Sequence, residues 1–136
     1  MKYNIIRKMK DDQTLLERTY RLLNERIQFM IDEKLGFHGF TYEDVKIQCQ
    51  KNPDRFTSAF AALEELDRER ILVRKELDMI NDYFIDIDKL ISRMNDREKK
   101  VFKAKYLYGL SNMDIAAQLD CSEKTIQRLI KEIEKN

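Results

Sequence analysis

The chain has 136 residues, of which 43% are hydrophobic and 38% charged, and its net charge is +1. The apolar fraction is large enough for a packed core, so wholesale disorder is excluded, and one proline with three glycines indicates long helices and few turns. No apolar run approaches the roughly 18 residues of a membrane span, and the charged N-terminus does not resemble a signal peptide, so we expect a cytoplasmic protein without membrane association.

The first predicted helix covers residues 12–34. Its apolar residues recur in alternating steps of four and three, which places them on one stripe of a helix. These residues are Leu16, Tyr20, Leu23, Ile27 and Met30. Gly36 and Gly39 follow, and glycine is common just beyond a helix end. We predict that residues 36–55, which contain Asn52-Pro53, form a connecting loop with at most a short ordered turn at 42–47.

The second predicted helix runs from about residue 54 to residue 94, and its stripe follows a seven-residue repeat. Its members are Leu63, Leu66, Val73, Leu77, Ile80, Phe84, Ile87, Ile91 and Met94. Such a repeat is typical of a coiled-coil seam. The two stripes pair either within one chain, as an antiparallel hairpin, or between the chains of a homodimer. Arg70 stands at the one seam position without an apolar residue, where a charge can set register or partner choice if it is paired.

The last third, residues 95–136, predicts three shorter helices. Asn95 or Asp96 can cap the first helix, which ends at Gly109. Ser111 and Asp114 resemble a capping box at the start of the second helix. A turn at residues 120–122 follows, in which we expect Cys121 to pack as a small apolar residue. Ser122 then caps the third helix. Two short helices joined by a tight turn make a helix-turn-helix, and the small Ala116 permits their close crossing.

The outer face of the third predicted helix indicates contact with double-stranded DNA. The candidate DNA-binding residues are Ser122, Glu123, Lys124, Thr125, Gln127, Arg128 and Lys131. Gln127 and Arg128 can hydrogen-bond base edges in the major groove, whereas Lys124, Thr125 and Lys131 suit phosphates. Residues 95–136 hold nine basic and seven acidic residues, and residues 56–94 hold six basic and nine acidic ones. This mild imbalance is compatible with DNA binding by one face.

Residues that would support an enzyme or a metal site are missing from the sequence. Cys49 and Cys121 are far apart, His38 is the only histidine, and no Gly-rich phosphate loop occurs. We therefore predict that the protein is not an enzyme and needs no cofactor or metal, and that both cysteines are ordinary thiols.

The C-terminal third resembles the promoter-recognising fourth region of bacterial sigma factors. The resemblance rests on residues 97–101 (REKKV), 105–111 (KYLYGLS), 114–119 (DIAAQL) and 122–126 (SEKTI). It implies a DNA-binding transcription module, with RNA polymerase as a second partner in the family. Asp114 replaces the usual glutamate, and Asp120 stands where the family often has glycine. Nothing before residue 94 resembles the region of a sigma factor that melts promoter DNA.

The layout of the whole chain is similar to small phage-encoded regulators of the ArpU and RinA type, which activate late genes. The sequence thus predicts an all-α protein with a helical hairpin or coiled coil over residues 1–94 and a helix-turn-helix domain over residues 95–136. Two alternatives stay open. One is a sigma-like adaptor that acts mainly by docking on RNA polymerase. The other is a phage packaging protein like a small terminase subunit, although those usually carry the DNA-binding part first.

Overall fold

The computed structural model describes residues 3–135, apart from the side chain of Thr57, and over this range its regular structure is helical throughout. The helices are α1 (Ile6–Phe29), α2 (Tyr42–Lys51), α3 (Pro53–Ser92), α4 (Asp96–Phe102), α5 (Asn112–Leu119) and α6 (Glu123–Lys135). A π-helical turn extends α1 over Met30–Lys34, and another extends α4 over Lys103–Leu107. The predicted all-α fold is confirmed. Asn136, the last residue of the predicted helix-turn-helix, lies outside the described residues.

Two compact units divide the chain. We call residues 14–79 the middle unit, and residues up to Gln13 together with those from Ile80 onward the terminal unit. The terminal unit therefore combines the beginning of the chain with the three C-terminal helices. Each unit has its own cluster of buried apolar side chains.

In the middle unit, α1 and α3 pack against each other through the stripes that the sequence indicates. Ile27, Ile31 and Leu63 are buried in one cluster, each with at most 2% of its surface exposed. The side chain of Asn24 accepts a hydrogen bond from Arg70 at 3.2 Å, and the guanidinium of Arg74 lies 5.6 Å from the ring centre of Tyr20. From Tyr20 to Asn24 along α1, the residue contacted on α3 moves back from Arg74 to Arg70. The two helices are therefore antiparallel. Of the two open pairings, the structure thus shows the one within a single chain.

Arg70 is held in this packed region by several polar partners. Its guanidinium forms an ion pair with Asp67, donates to Asn24, and lies 5.6 Å from the ring centre of Tyr42. The side chains of Arg70 and Asp67 are only 24% and 17% exposed. A partly buried charge is tolerated when it is paired and hydrogen-bonded, and a mismatched register would leave it unsatisfied. Arg70 therefore favours one register of α1 against α3.

The segment predicted as a connecting loop contains α2, a ten-residue helix. The hydroxyl of Thr41 accepts from the backbone N–H of Asp44, and the Asp44 carboxylate accepts from the N–H of Thr41. This reciprocal pair satisfies backbone donors that the first turn otherwise leaves unpaired. Val45 and Cys49 are buried on the inner face of α2. The helix thus closes one side of the cluster in the middle unit.

The terminal unit has an aromatic centre. Phe102 is fully buried, and its ring centre lies 5.2 Å from that of Tyr3 and 5.0 Å from that of Tyr106. Tyr3 and Ile6 are buried in the same cluster, and α1 begins at Ile6 rather than at the predicted residue 12. The side chain of Gln13 donates to Asn81 at 2.7 Å, so α1 and α3 are also in contact in this unit. The start of the chain therefore supports the C-terminal helices.

Over residues 3–135, no helix combines the length and the apolar character that a membrane span requires.

Candidate nucleic-acid interface

The first helix of the C-terminal segment begins at a capping box. The side chain of Asn95 accepts from the backbone N–H of Glu98 at 2.8 Å, and the Glu98 carboxylate accepts from the N–H of Asn95. The helix then buries Val101, Phe102 and Tyr106 before it ends near Gly109. These two termini agree with the prediction from the sequence.

Gly109 ends this helix, and both its backbone conformation and its close neighbours favour glycine. Its φ of +69° lies in the left-handed region, which side chains with a Cβ rarely adopt. A side chain with a Cβ at Gly109 would collide with the guanidinium of Arg7. Arg7 therefore packs over the turn that leads into the helix-turn-helix, a contact that the sequence did not indicate.

We expect Gly109→Ala to lower the free energy of unfolding by about 1–2 kcal/mol, because alanine in the left-handed region is strained and its Cβ would also collide with Arg7. Urea unfolding followed by circular dichroism measures the change. Gly39→Ala is the matched control, since Gly39 has a φ of +80° but no atom within 4 Å of the added Cβ. Adding Arg7→Ala should recover part of the loss at Gly109. Equal stability of wild type and Gly109→Ala would contradict this account.

The turn between α5 and α6 has the geometry of a helix-turn-helix. The hydroxyl of Ser111 accepts from the N–H of Asp114 at the start of α5. At the end of α5, Asp120 adopts φ 56° and ψ 48°, the left-handed conformation that aspartate tolerates better than most residues. This explains how aspartate replaces the glycine that the resemblance favours. Cys121, half-buried, packs against the core as predicted.

Helix α6 is fixed on its inner side by apolar packing and by one hydrogen bond. Ile126, Leu129, Ile130 and Ile133 are buried, as the sequence indicated. The hydroxyl of Tyr106 donates to the carboxylate of Glu134 at 2.8 Å. Burial and this hydrogen bond raise the pKa of Tyr106, so its hydroxyl stays protonated and able to donate. The inner face therefore holds α6 in one orientation.

The predicted DNA-contacting residues lie together at the start and along the outer face of α6. Five of them are exposed along the helix: Glu123, Lys124, Gln127, Arg128 and Lys131. Ser122 accepts a hydrogen bond from the backbone N–H of Thr125, and the two hydroxyls are 2.9 Å apart. Residues spaced three and four apart share one helical face. The structure therefore presents two lysines, an arginine and a glutamine on one continuous surface.

A second surface of the terminal unit lies between α4 and α5. It is an open groove lined in part by Lys100, Lys103, Ala104, Gln118 and Leu119. Tyr108 also lines it and is 69% exposed. No residue of α6 contributes to this groove, so it is separate from the outer face described above. No pattern in the sequence indicated this groove.

Metal binding and thiol chemistry have little support in the structure. In the part of the chain that the structure describes, no group of three or more histidine, cysteine, aspartate or glutamate residues is arranged to hold a metal ion. Burial raises the pKa of the Cys49 thiol, which disfavours the reactive thiolate.

Comparison with known families supports this interpretation of the C-terminal helices. Residues 84–135 match the family model described as Sigma-70, region 4. The matched range contains α4, α5 and α6 together with the end of α3. No curated protein and no solved structure gives a significant match to the chain. This segment therefore resembles a sigma-like helix-turn-helix, and the family that it matches is a DNA-binding regulatory domain.

Proposed function

We propose that the protein is a transcription regulator that places α6 in the major groove of duplex DNA. The observation that carries this proposal is the exposed face of α6 on a helix-turn-helix of the sigma-70 region 4 kind. The major groove is wide enough to admit one helix, and the second helix of this motif is the one that enters it. The buried inner face of α6 keeps the outer face turned away from the core.

Within this proposal, the polar residues of α6 divide into two roles. Gln127 and Arg128 read base edges, because their side chains can form paired hydrogen bonds with adenine and guanine respectively. Lys124, Thr125 and Lys131 contact phosphates, which positions the helix without specifying sequence. Ser122 and Glu123 lie at the start of α6, where the N-terminal end of the helix approaches the DNA backbone.

We further propose that the regulator is phage-encoded and activates late genes, in the cytoplasm of a host cell. Two features support this: the sigma-like segment is preceded by long helices rather than by a region for promoter melting, and the middle unit is a helical body of its own. Such a protein would act on transcription together with the host RNA polymerase, its second expected partner.

The phosphate contacts predict a particular salt dependence. We expect Lys124→Ala and Lys131→Ala each to weaken binding to all duplexes alike and to reduce the slope of log K against log salt by about 1. Fluorescence anisotropy with labelled duplexes at several salt concentrations measures this slope. Lys46→Ala is the control, because Lys46 is an exposed lysine of α2 in the middle unit. An unchanged slope in both α6 variants would contradict the phosphate assignment.

The groove between α4 and α5 favours a second candidate function, a sigma-like adaptor that docks on RNA polymerase. An exposed tyrosine beside apolar residues is typical of a protein-binding surface. Under this alternative, substitutions at Arg128 and Lys131 leave DNA affinity unchanged. Substitution of Tyr108 then abolishes activation instead.

A further inference from the structure

The beginning of the chain brings a basic segment into the terminal unit. Residues 3–10 carry no acidic side chain and three basic ones, Arg7, Lys8 and Lys10. Tyr3 and Ile6 anchor the segment in the buried cluster of the terminal unit. The segment lies outside residues 84–135, the range that matches the sigma-70 region 4 family. It therefore adds positive charge to the helix-turn-helix from a part of the chain that the family does not cover.

Arg7 holds its charge at the turn that leads into α5. Its guanidinium occupies the space in which a side chain at Gly109 would begin, so it lies directly against the backbone of that turn. The residue is exposed, and no carboxylate within residues 3–135 forms an ion pair with it. A guanidinium presents five N–H donors and pairs well with the oxygens of a phosphate. Arg7 is therefore positioned by packing and still available to an anion.

A second cation lies at the same turn. The ammonium of Lys105 donates to the side chain of Asn112, the first residue of α5, at 3.0 Å. Asp114 is the acidic residue in the first turn of α5, and in the described part of the chain it forms an ion pair with neither cation. We call Arg7, Lys105 and residues 109–112 the basic turn. Two cations at one short turn favour an anionic partner.

The dimensions of the helix-turn-helix connect the basic turn with DNA. Helix α5 has eight residues, and at about 1.5 Å per residue it is about 12 Å long. The major groove is also about 12 Å wide, and the first helix of this motif crosses the DNA backbone while the second lies in the groove. With the start of α6 in the groove, the far end of α5 therefore reaches the strand that borders the groove. The basic turn is at that end of α5.

We propose that Arg7 binds a phosphate of the same duplex that α6 enters, so that the start of α1 is part of the DNA interface. The inference rests on the proposed function and adds to it a contact from outside the sigma-like segment. Each strand of a duplex presents one phosphate for about every 3.4 Å of helix axis, so a cation at its edge meets a phosphate whatever the sequence. Arg7 thus strengthens binding to all duplexes and does not select among them.

Fluorescence anisotropy of the full-length protein with labelled duplexes, over a range of salt concentrations, tests this contact. We expect Arg7→Gln to weaken binding to specific and unrelated duplexes alike, by about three- to tenfold, and to reduce the slope of log K against log salt by about 1. Arg7→Lys should keep the wild-type slope, since lysine retains the charge. Arg21→Gln is the matched control and should bind as wild type does, because Arg21 is an exposed arginine of α1 in the middle unit.

The slope separates a phosphate contact from mere support of the fold. A variant that only loosens the turn at Gly109 lowers the fraction of folded protein, but it leaves the number of neutralised phosphates unchanged. Glutamine keeps an unbranched side chain at position 7, and urea unfolding checks the stability of each variant. An unchanged slope in Arg7→Gln, with or without a loss of affinity, would overturn the inference.

Lys124→Ala and Lys131→Ala, measured in parallel, distinguish failure of this inference from failure of the proposed function. We expect a lower slope in all three variants, and a slope lower by about 2 when Arg7→Gln and Lys124→Ala are combined. A lower slope in the two α6 variants alone would remove Arg7 from the interface and leave the proposed function standing. A lower slope in Arg7→Gln alone would place the DNA on a surface other than α6, and a wild type that binds no duplex would overturn both proposals.

Discussion

Arg128→Ala is expected to lower the affinity for a specific duplex by about 1–3 kcal/mol, roughly fivefold to 150-fold in Kd. Arg128 is exposed on the outer face of α6, while its neighbours Leu129 and Ile130 are buried. Its loss removes hydrogen bonds to a base edge without disturbing the core. Competition binding with specific and unrelated duplexes, at fixed salt, measures the change. Gln127→Ala should act in the same direction.

Arg128→Lys is the informative control for this effect. Lysine keeps the positive charge but lacks the planar pair of donors with which arginine recognises guanine. We therefore expect this variant to bind unrelated DNA as wild type does and to lose much of its preference for the specific site. If Arg128→Lys kept the full preference, the charge of Arg128 rather than its hydrogen bonds would be what matters.

Phe102→Ala is expected to lower the free energy of unfolding of the terminal unit by about 3–5 kcal/mol. The ring is fully buried between Tyr3 and Tyr106, and alanine leaves a cavity that rigid neighbours cannot close. This loss is a large part of the total stability of a small protein. Urea unfolding measures it, and DNA binding should weaken in parallel because α6 loses its support.

Tyr108→Ala provides the contrast, because Tyr108 is an aromatic residue of the same unit with 69% of its surface exposed. Its replacement should change stability by no more than about 0.5 kcal/mol. A similar loss in both variants would show that the aromatic cluster is not the centre of the terminal unit.

The long helices were predictable because their periodicity is strong. Residues such as Leu23, Ile27 and Leu63 recur at helical spacing, and the structure buries all three. The sequence left open whether the two stripes pair within a chain or between chains. Both pairings bury the same surface, and contacts such as Arg70 with Asn24 and Arg74 with Tyr20 show the pairing within the chain.

Two elements escaped prediction for different physical reasons. Helix α2 has only two buried residues, Val45 and Cys49, so its periodicity is weak, although Thr41 and Asp44 have the spacing of a capping box. Helix α1 begins at Ile6 because Tyr3 and Ile6 pack on the C-terminal helices, a contact between residues about a hundred positions apart. Local sequence patterns carry no sign of such a contact.

The positions of the candidate residues on the C-terminal helices were largely predictable. Ser111 and Ser122 cap the helices that they were expected to cap, and the outer face of α6 holds the predicted set. The backbone of the turn was less predictable, since Asp120 adopts a left-handed conformation that usually calls for glycine. That these exposed residues contact DNA, and which of them touch bases or phosphates, stays a prediction.

Capture of genomic fragments by the purified protein at near-physiological salt, followed by sequencing of the retained DNA, tests whether α6 reads sequence. We predict enrichment of one or a few short sites, and its loss with Arg128→Ala. Uniform, salt-sensitive retention of all fragments by both proteins would contradict the claim that α6 reads sequence. Specificity would then come from a partner, with RNA polymerase the first to test.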